Sequence, residues 1–169
     1  MALSTSISLR VQASLSNALD LGSAFNPLDF SISQAWDSGV AANQADKIFH
    51  DVRTLGASAT ENLDFAGVLT DPFGISFTLA KLKYILFYAD PANNAANSVV
   101  VTRPAANGVT IFTAVSSGIS LLPAAWFSIG SPSITGYPIT GGTADLVTVT
   151  NSAGTNSVVY TVIAIGTSS

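Results

Sequence analysis

Residues 5–15 alternate without a break. Ile7, Leu9, Val11, Ala13 and Leu15 fall on one face, and Ser6, Ser8, Arg10, Gln12 and Ser14 on the other. A period of two predicts a half-buried strand. Leu28, Phe30 and Ile32 alternate with Asp29, Ser31 and Ser33, predicting a second strand that runs toward Trp36. Between them, residues 17–27 read as a loop punctuated by Gly22 and Asn26-Pro27. The small, polar stretch DSGVAANQAD at residues 37–46 follows. The expected boundary lies there: residues 1–40 form an N-terminal strand pair or arm, and residues 41–169 form a body. The odd apolar set of the arm then packs either on its own body or on a neighbour.

The body reads as strands throughout. Residues 47–55 mix polar and apolar positions, as at a sheet edge, and Leu63 and Phe65 mark a short strand. TDPFG at residues 70–74 is a turn, with proline and glycine at conformations they favour. Residues 75–89 contain no breaker and read as one strand, but their apolar parity switches near Ala80, which predicts a bulge or a strand passing from one buried environment to another. Residues 98–102 and 108–115 read as strands, and Pro123 interrupts the apolar stretch at 121–127. A connection over residues 130–142 carries a short strand around Tyr137. Residues 144–150 and 157–165 read as two strands of one hairpin joined at 151–156. Eight to ten short strands without an amphipathic helix predict an all-β fold: a β-sandwich, jelly-roll-like, or a related barrel. Parallel α/β architectures lack their crossover helices here.

Composition sharpens this picture. Charged residues make up 9% of the chain, against roughly 25% in ordinary soluble domains. The net charge is −4 and no basic cluster occurs, so no nucleic-acid partner is expected. Mean hydropathy is +0.47, yet no apolar run approaches the ~20 residues of a spanning helix, and no membrane partner is expected. The N-terminus lacks a basic region and a continuous apolar region, so no signal peptide is read. Cysteine is absent, which excludes disulfides and thiolate metal sites. Across residues 104–169, Asp145 is the only charged residue. A hydroxyl- and methyl-rich surface loses little solvation when covered, so a permanent assembly is expected.

Candidate chemistry is sparse. His50 is the only histidine; Asp51 follows it and no G-x-S-x-G elbow accompanies it. On a strand the two would point to opposite faces, which is poor triad geometry. Asp90, Asn93, Asn94 and Asn97 offer oxygen ligands in one loop, but their spacing is that of turns rather than of a calcium loop. Asp51, Glu61, Asp64, Asp71, Asp90 and Asp145 contain no evident acid–base pair. Residues 136–142 and Gly154 lack phosphate-loop context. Trp36, Trp126 and Tyr137 read as core or interface before they read as a sugar platform. No catalytic, cofactor-binding or metal-binding residue is therefore assigned, and no enzymatic activity or cofactor is expected.

Several stretches carry a resemblance: QADKIFHDVRTL at 44–55, SATENLDFAG at 58–67, LTD at 69–71, FG at 73–74, KLK at 81–83, GYPITGGTADL at 136–146 and NSAG at 151–154. With the alternating N-terminal strand, these resemble small structural proteins encoded among the virion genes of tailed bacteriophages. RPAAN at 103–107 departs from the small, glycine-rich stretch of that pattern. The resemblance implies a virion component, most economically a capsid decoration or cement protein. Such a protein would form a homo-oligomer, a trimer, on the outer capsid surface and clamp neighbouring major capsid proteins. It implies no catalytic residue. The alternative is a tail- or fibre-associated module that recognises a host surface glycan.

Overall fold

The computed structural model describes residues 2–169, which contain twelve strands and no helix. The strands form where β-branched and aromatic residues concentrate, because such side chains pack well on a pleated surface. β1 (Thr5–Leu19) and β2 (Gly22–Ser38) are an antiparallel hairpin of 15 and 17 residues, joined in parallel to the two-residue β3 (Gln44–Ala45). The remaining strands are β4 (Lys47–Leu55), β5 (Thr60–Asp64), β6 (Lys81–Ala89), β7 (Val99–Thr102), β8 (Gly118–Leu121), β9 (Trp126–Gly130), β10 (Tyr137–Pro138), β11 (Leu146–Asn151) and β12 (Val158–Thr167).

Two antiparallel sheets make the body. In one, β4, β12 and β6 lie side by side, and the far edge of β6 pairs with β9 and β10. The other has the order β5-β11-β7-β8. Numbering the principal body strands one to eight, with the short β10 left out, gives sheet orders 1-8-3-6 and 2-7-4-5. That is jelly-roll connectivity, so the expected fold class holds. The strand count and lengths differ from expectation, chiefly because of the long hairpin.

The inner faces bury Leu63, Phe65, Phe87, Val101, Val147, Val149, Tyr160 and Val162 completely. Phe49 and Phe77 meet with ring centres 5.6 Å apart and close one end of this core.

Four local expectations are corrected. Residues 17–27 are not a loop; the ladder runs through them to a two-residue turn at Asp20-Leu21. Leu19 pairs with Gly22 across that turn, and bonded and non-bonded pairs alternate from there. Ser14 opposite Pro27 is then a non-bonded pair, where a missing N–H costs nothing. Residues 108–115 are turns, although Ile111 and Phe112 still pack against the core. Residues 75–80 are irregular, and the strand begins at Lys81. Finally, β11 and β12 do not form a hairpin: each joins a different sheet. Both strands have one apolar face, and such strands can be stacked face to face as well as paired edge to edge. Asn151 fixes the crossover, donating from Nδ2 to the carbonyls of Gly56 at 2.9 Å and Asn156 at 3.0 Å.

The parity switch near Ala80 falls in the irregular residues 75–80, and β6 has a register shift of its own further on. Ile165 pairs with Tyr84, and Gly166 pairs with Leu82, leaving Lys83 as the extra residue. A Cβ at Gly166 would lie 2.1 Å from the Lys81 carbonyl oxygen, so only glycine fits.

Candidate functional site

The hairpin is built like half of a sandwich. Its register puts the odd residues of β1 on the same face as the even residues of β2: Leu9 opposite Ile32, Val11 opposite Phe30, Ala13 opposite Leu28. The opposite face carries Ser8 with Ser33, Arg10 with Ser31, and Gln12 with Asp29. Arg10 grips Asp29 there through Nε at 2.9 Å and Nη2 at 2.6 Å. The ion pair raises the pKa of Arg10 and lowers that of Asp29, but both groups are in solvent and the pair adds little stability. The apolar face has no formal charge along its length. Its exposure climbs from 39% at Leu9 to 73% at Leu15, and Leu21 at the tip is fully exposed. An isolated two-stranded hairpin is marginal in water. This face is therefore an unfinished core.

The root of the hairpin is anchored. Trp36, 2% exposed, packs with Ala45 and Ile165 on the outer side of the five-stranded sheet. Leu3, Ile7, Ile48, Tyr84 and Ile163 surround them. The elbow after β2 is held by backbone bonds from Asp37 N–H to Asn43 O and from Gly39 N–H to Ala45 O. Gly39 has φ 147°, and a Cβ there would collide with the Gln44 amide. Lys83, the bulge residue, is buried beneath the elbow and donates from Nζ to the Ala41 carbonyl. Burial, and then Lys81, push its pKa down.

The outer face of the same sheet continues past the root. Register places Val52, Thr161, Tyr88 and Trp126 in one row, and His50, Ile163, Leu86 and Ser128 in the next. Val52 is 66% exposed and Trp126 52% exposed. These two rows contain no Asp, Glu, Lys or Arg, and His50 is their one basic side chain. The sequence carried a sign of this surface that went unread: from Leu82 to Tyr88 apolar residues occupy both parities, the mark of a strand covered on both faces.

Candidate groups from the sequence fall elsewhere. His50 and Asp51 do point to opposite sides of β4: His50 lies outward and exposed, while Asp51 reaches Arg53. Arg53 holds Glu61 through Nε at 2.8 Å and Nη2 at 2.6 Å, and Asp51 through Nη1 at 2.9 Å. Tyr160 donates its hydroxyl to the other oxygen of Glu61 at 2.9 Å. This network ties β4 of one sheet to β5 of the other. Glu61 raises the pKa of Arg53, and burial followed by Glu61 raises that of Tyr160.

Other carboxylates cap turns. Asp64 accepts from Ala66 N–H, Asp71 from Phe73 and Ile75, Asp90 from Ala92, and Asp145 from Gly142. Asn94 caps Ala96, Asn93 clasps Val159 through both donor and acceptor, and Asn97 donates to Thr155 O. Among the described residues, no three His, Asp or Glu side chains gather as metal ligands. Trp36 and Trp126 do not share a platform; one is buried at the root and the other is exposed on β9, while Tyr137 borders the main core. Asp145 is buried, so residues 104–169 present no charged side chain to solvent. No known protein family, curated protein or solved structure matches the chain.

Proposed function

We propose that this is a structural virion protein: a capsid decoration protein that self-associates, as a trimer, on the outer capsid surface and stabilises contacts between major capsid proteins. The observation that carries the reading is the exposed, uncharged apolar face of the long hairpin, since an isolated hairpin is marginal in water and a partner covering that face would stabilise it. Three further features support it. The solvent-facing side chains of residues 104–169 are uncharged. The candidate carboxylates cap turns or join the two sheets. The jelly-roll architecture is one that hosts capsid domains, which is support by analogy of fold alone. Many weak contacts on one shell would add through avidity.

A second reading, a tail- or fibre-associated module for a host glycan, draws on Trp126 beside Tyr88, an aromatic pair on which a sugar ring could stack. Labelling a tagged copy on purified virions separates the two. Decoration predicts label over the whole head. Label at a single vertex would support the tail module, and unlabelled virions would overturn both.

A further inference from the structure

We propose that the hairpin of one copy docks, apolar face down, on the outer face of the β9-β6-β12-β4 sheet of a second copy, so that copies join head to tail. This deepens the self-association part of the reading above and does not depend on the capsid.

The chain already makes this contact once, within itself. Ile7, the first apolar residue of β1 on that face, packs in the cluster that includes Ile48, Tyr84 and Ile163 on that sheet. Beyond Ile7 the hairpin leaves its own body, as the exposure of Leu9 and Leu15 records. The sheet face likewise continues, uncovered, through Val52 and Trp126. One molecule thus carries two unfinished surfaces of the kind that meet at its own hairpin root. Both lack formal charge, so neither loses ionic solvation when they meet. A head-to-tail junction covers both surfaces at once. Hairpin against hairpin would cover only one of them and leave Trp126 and Val52 in water.

The dimensions set the strength of the junction. A 15-residue strand at ~3.4 Å per residue makes a hairpin ~50 Å long and ~10 Å wide. The four-strand face measures ~20 Å each way, so a hairpin ~10 Å wide overlaps it by ~200 Å² per surface. In a closed ring each copy gives one hairpin and receives another, covering ~400 Å² per copy, so one junction alone is smaller than a standard interface and closure of the ring holds the copies together. Head-to-tail contacts of this kind close into rings when the rotation allows, a three-membered ring among them. The polar face of the hairpin, with Arg10 and Asp29, stays in solvent.

Two substitutions test it, each placing a carboxylate in the junction: Phe30→Asp on the hairpin and Val52→Asp on the sheet. Both side chains are exposed in the single chain, so folding, checked by melting, is retained; Leu28→Asp serves as a second hairpin variant. Light scattering on free protein should show wild type as a multimer and each variant alone at 17.3 kDa. At high concentration an equimolar mixture of the two variants should form a two-chain species, weaker than the wild-type assembly because it holds a single junction. It retains one intact hairpin, from Val52→Asp, and one intact sheet face, from Phe30→Asp. Wild-type-like assembly of Val52→Asp would overturn the proposal in favour of hairpin-on-hairpin packing. A mixture that stays monomeric would also overturn it. A monomeric wild type would assign the hairpin to a different protein, and virion labelling would then still decide the capsid reading.

Discussion

Strands β1 and β12 carry the same alternation and meet opposite fates. In β12, Val158, Tyr160, Val162 and Ala164 are fully buried beneath the second sheet. In β1, Leu9, Val11 and Leu15 lie open to water. The pattern of a strand specifies which of its faces is to be covered. It does not specify what covers that face. In the body the cover is encoded in the same chain, as β5, β7, β8 and β11. In the hairpin only the root is covered, by Ile48, Tyr84 and Ile163. The body therefore closes its own core, whereas the hairpin covers its apolar face only at the root.

One residue type placed in both regions gives the sharpest contrast. Phe87 is fully buried, and Phe30 stands on the hairpin. Phe87→Ala is expected to cost about 3–5 kcal/mol in denaturant unfolding. Phe30→Ala, measured below the assembly concentration, should stay within about 0.5 kcal/mol of wild type. Equal losses would erase the distinction.

Removing residues 1–40 is the next largest perturbation. The body should keep its β circular dichroism and cooperative melting, with a loss of roughly 2–3 kcal/mol as Trp36 leaves its seat on Ala45 and Ile165. Loss of the β signal would make the hairpin part of the body.

The clasp between β4 and β5 has a pH signature. The folded pKa of Tyr160 is raised above its ordinary value, chiefly by burial. Its contribution is therefore complete below the unfolded value of about 10 and is lost as pH climbs beyond it. Tyr160→Phe should cost about 1–2 kcal/mol at neutral pH, because Glu61 loses a donor. The same substitution should flatten the alkaline decline in stability. An unchanged alkaline slope would remove Tyr160 from the clasp. The smallest effect is expected for His50→Ala, within about 0.5 kcal/mol by thermal melting, since His50 is exposed on the outer face and forms no ion pair.

Much of this architecture was legible in the sequence. The all-β class followed from period-two alternation and turn residues, and the odd apolar face of the hairpin followed from Ile7, Leu9, Val11 and Leu15. The bulge at Lys83 was not legible: the parity switch near Ala80 falls in irregular residues before β6, and parity put Leu82 with Tyr84, whereas Leu82 joins the main core and Tyr84 the hairpin root. Partners were harder to read. Gly22 and Asn26-Pro27 look like loop punctuation, yet they sit in a ladder whose outer edge is largely free and tolerates them. Residues 144–165 show two strands, but periodicity is silent on whether they pair or stack. The proposed assembly surface was the least legible. It joins Val52, Tyr88 and Trp126 from three separate stretches, and only sheet register brings them into one row.

Amide hydrogen exchange across a dilution series tests the division between complete body and unfinished hairpin most directly. Amides of β6, β11 and β12 should stay protected at every concentration. Amides of residues 9–32 should be protected when the protein is concentrated and exchange freely once it is dilute. Hairpin protection that persists in the monomer, at the level of β12, would contradict the account.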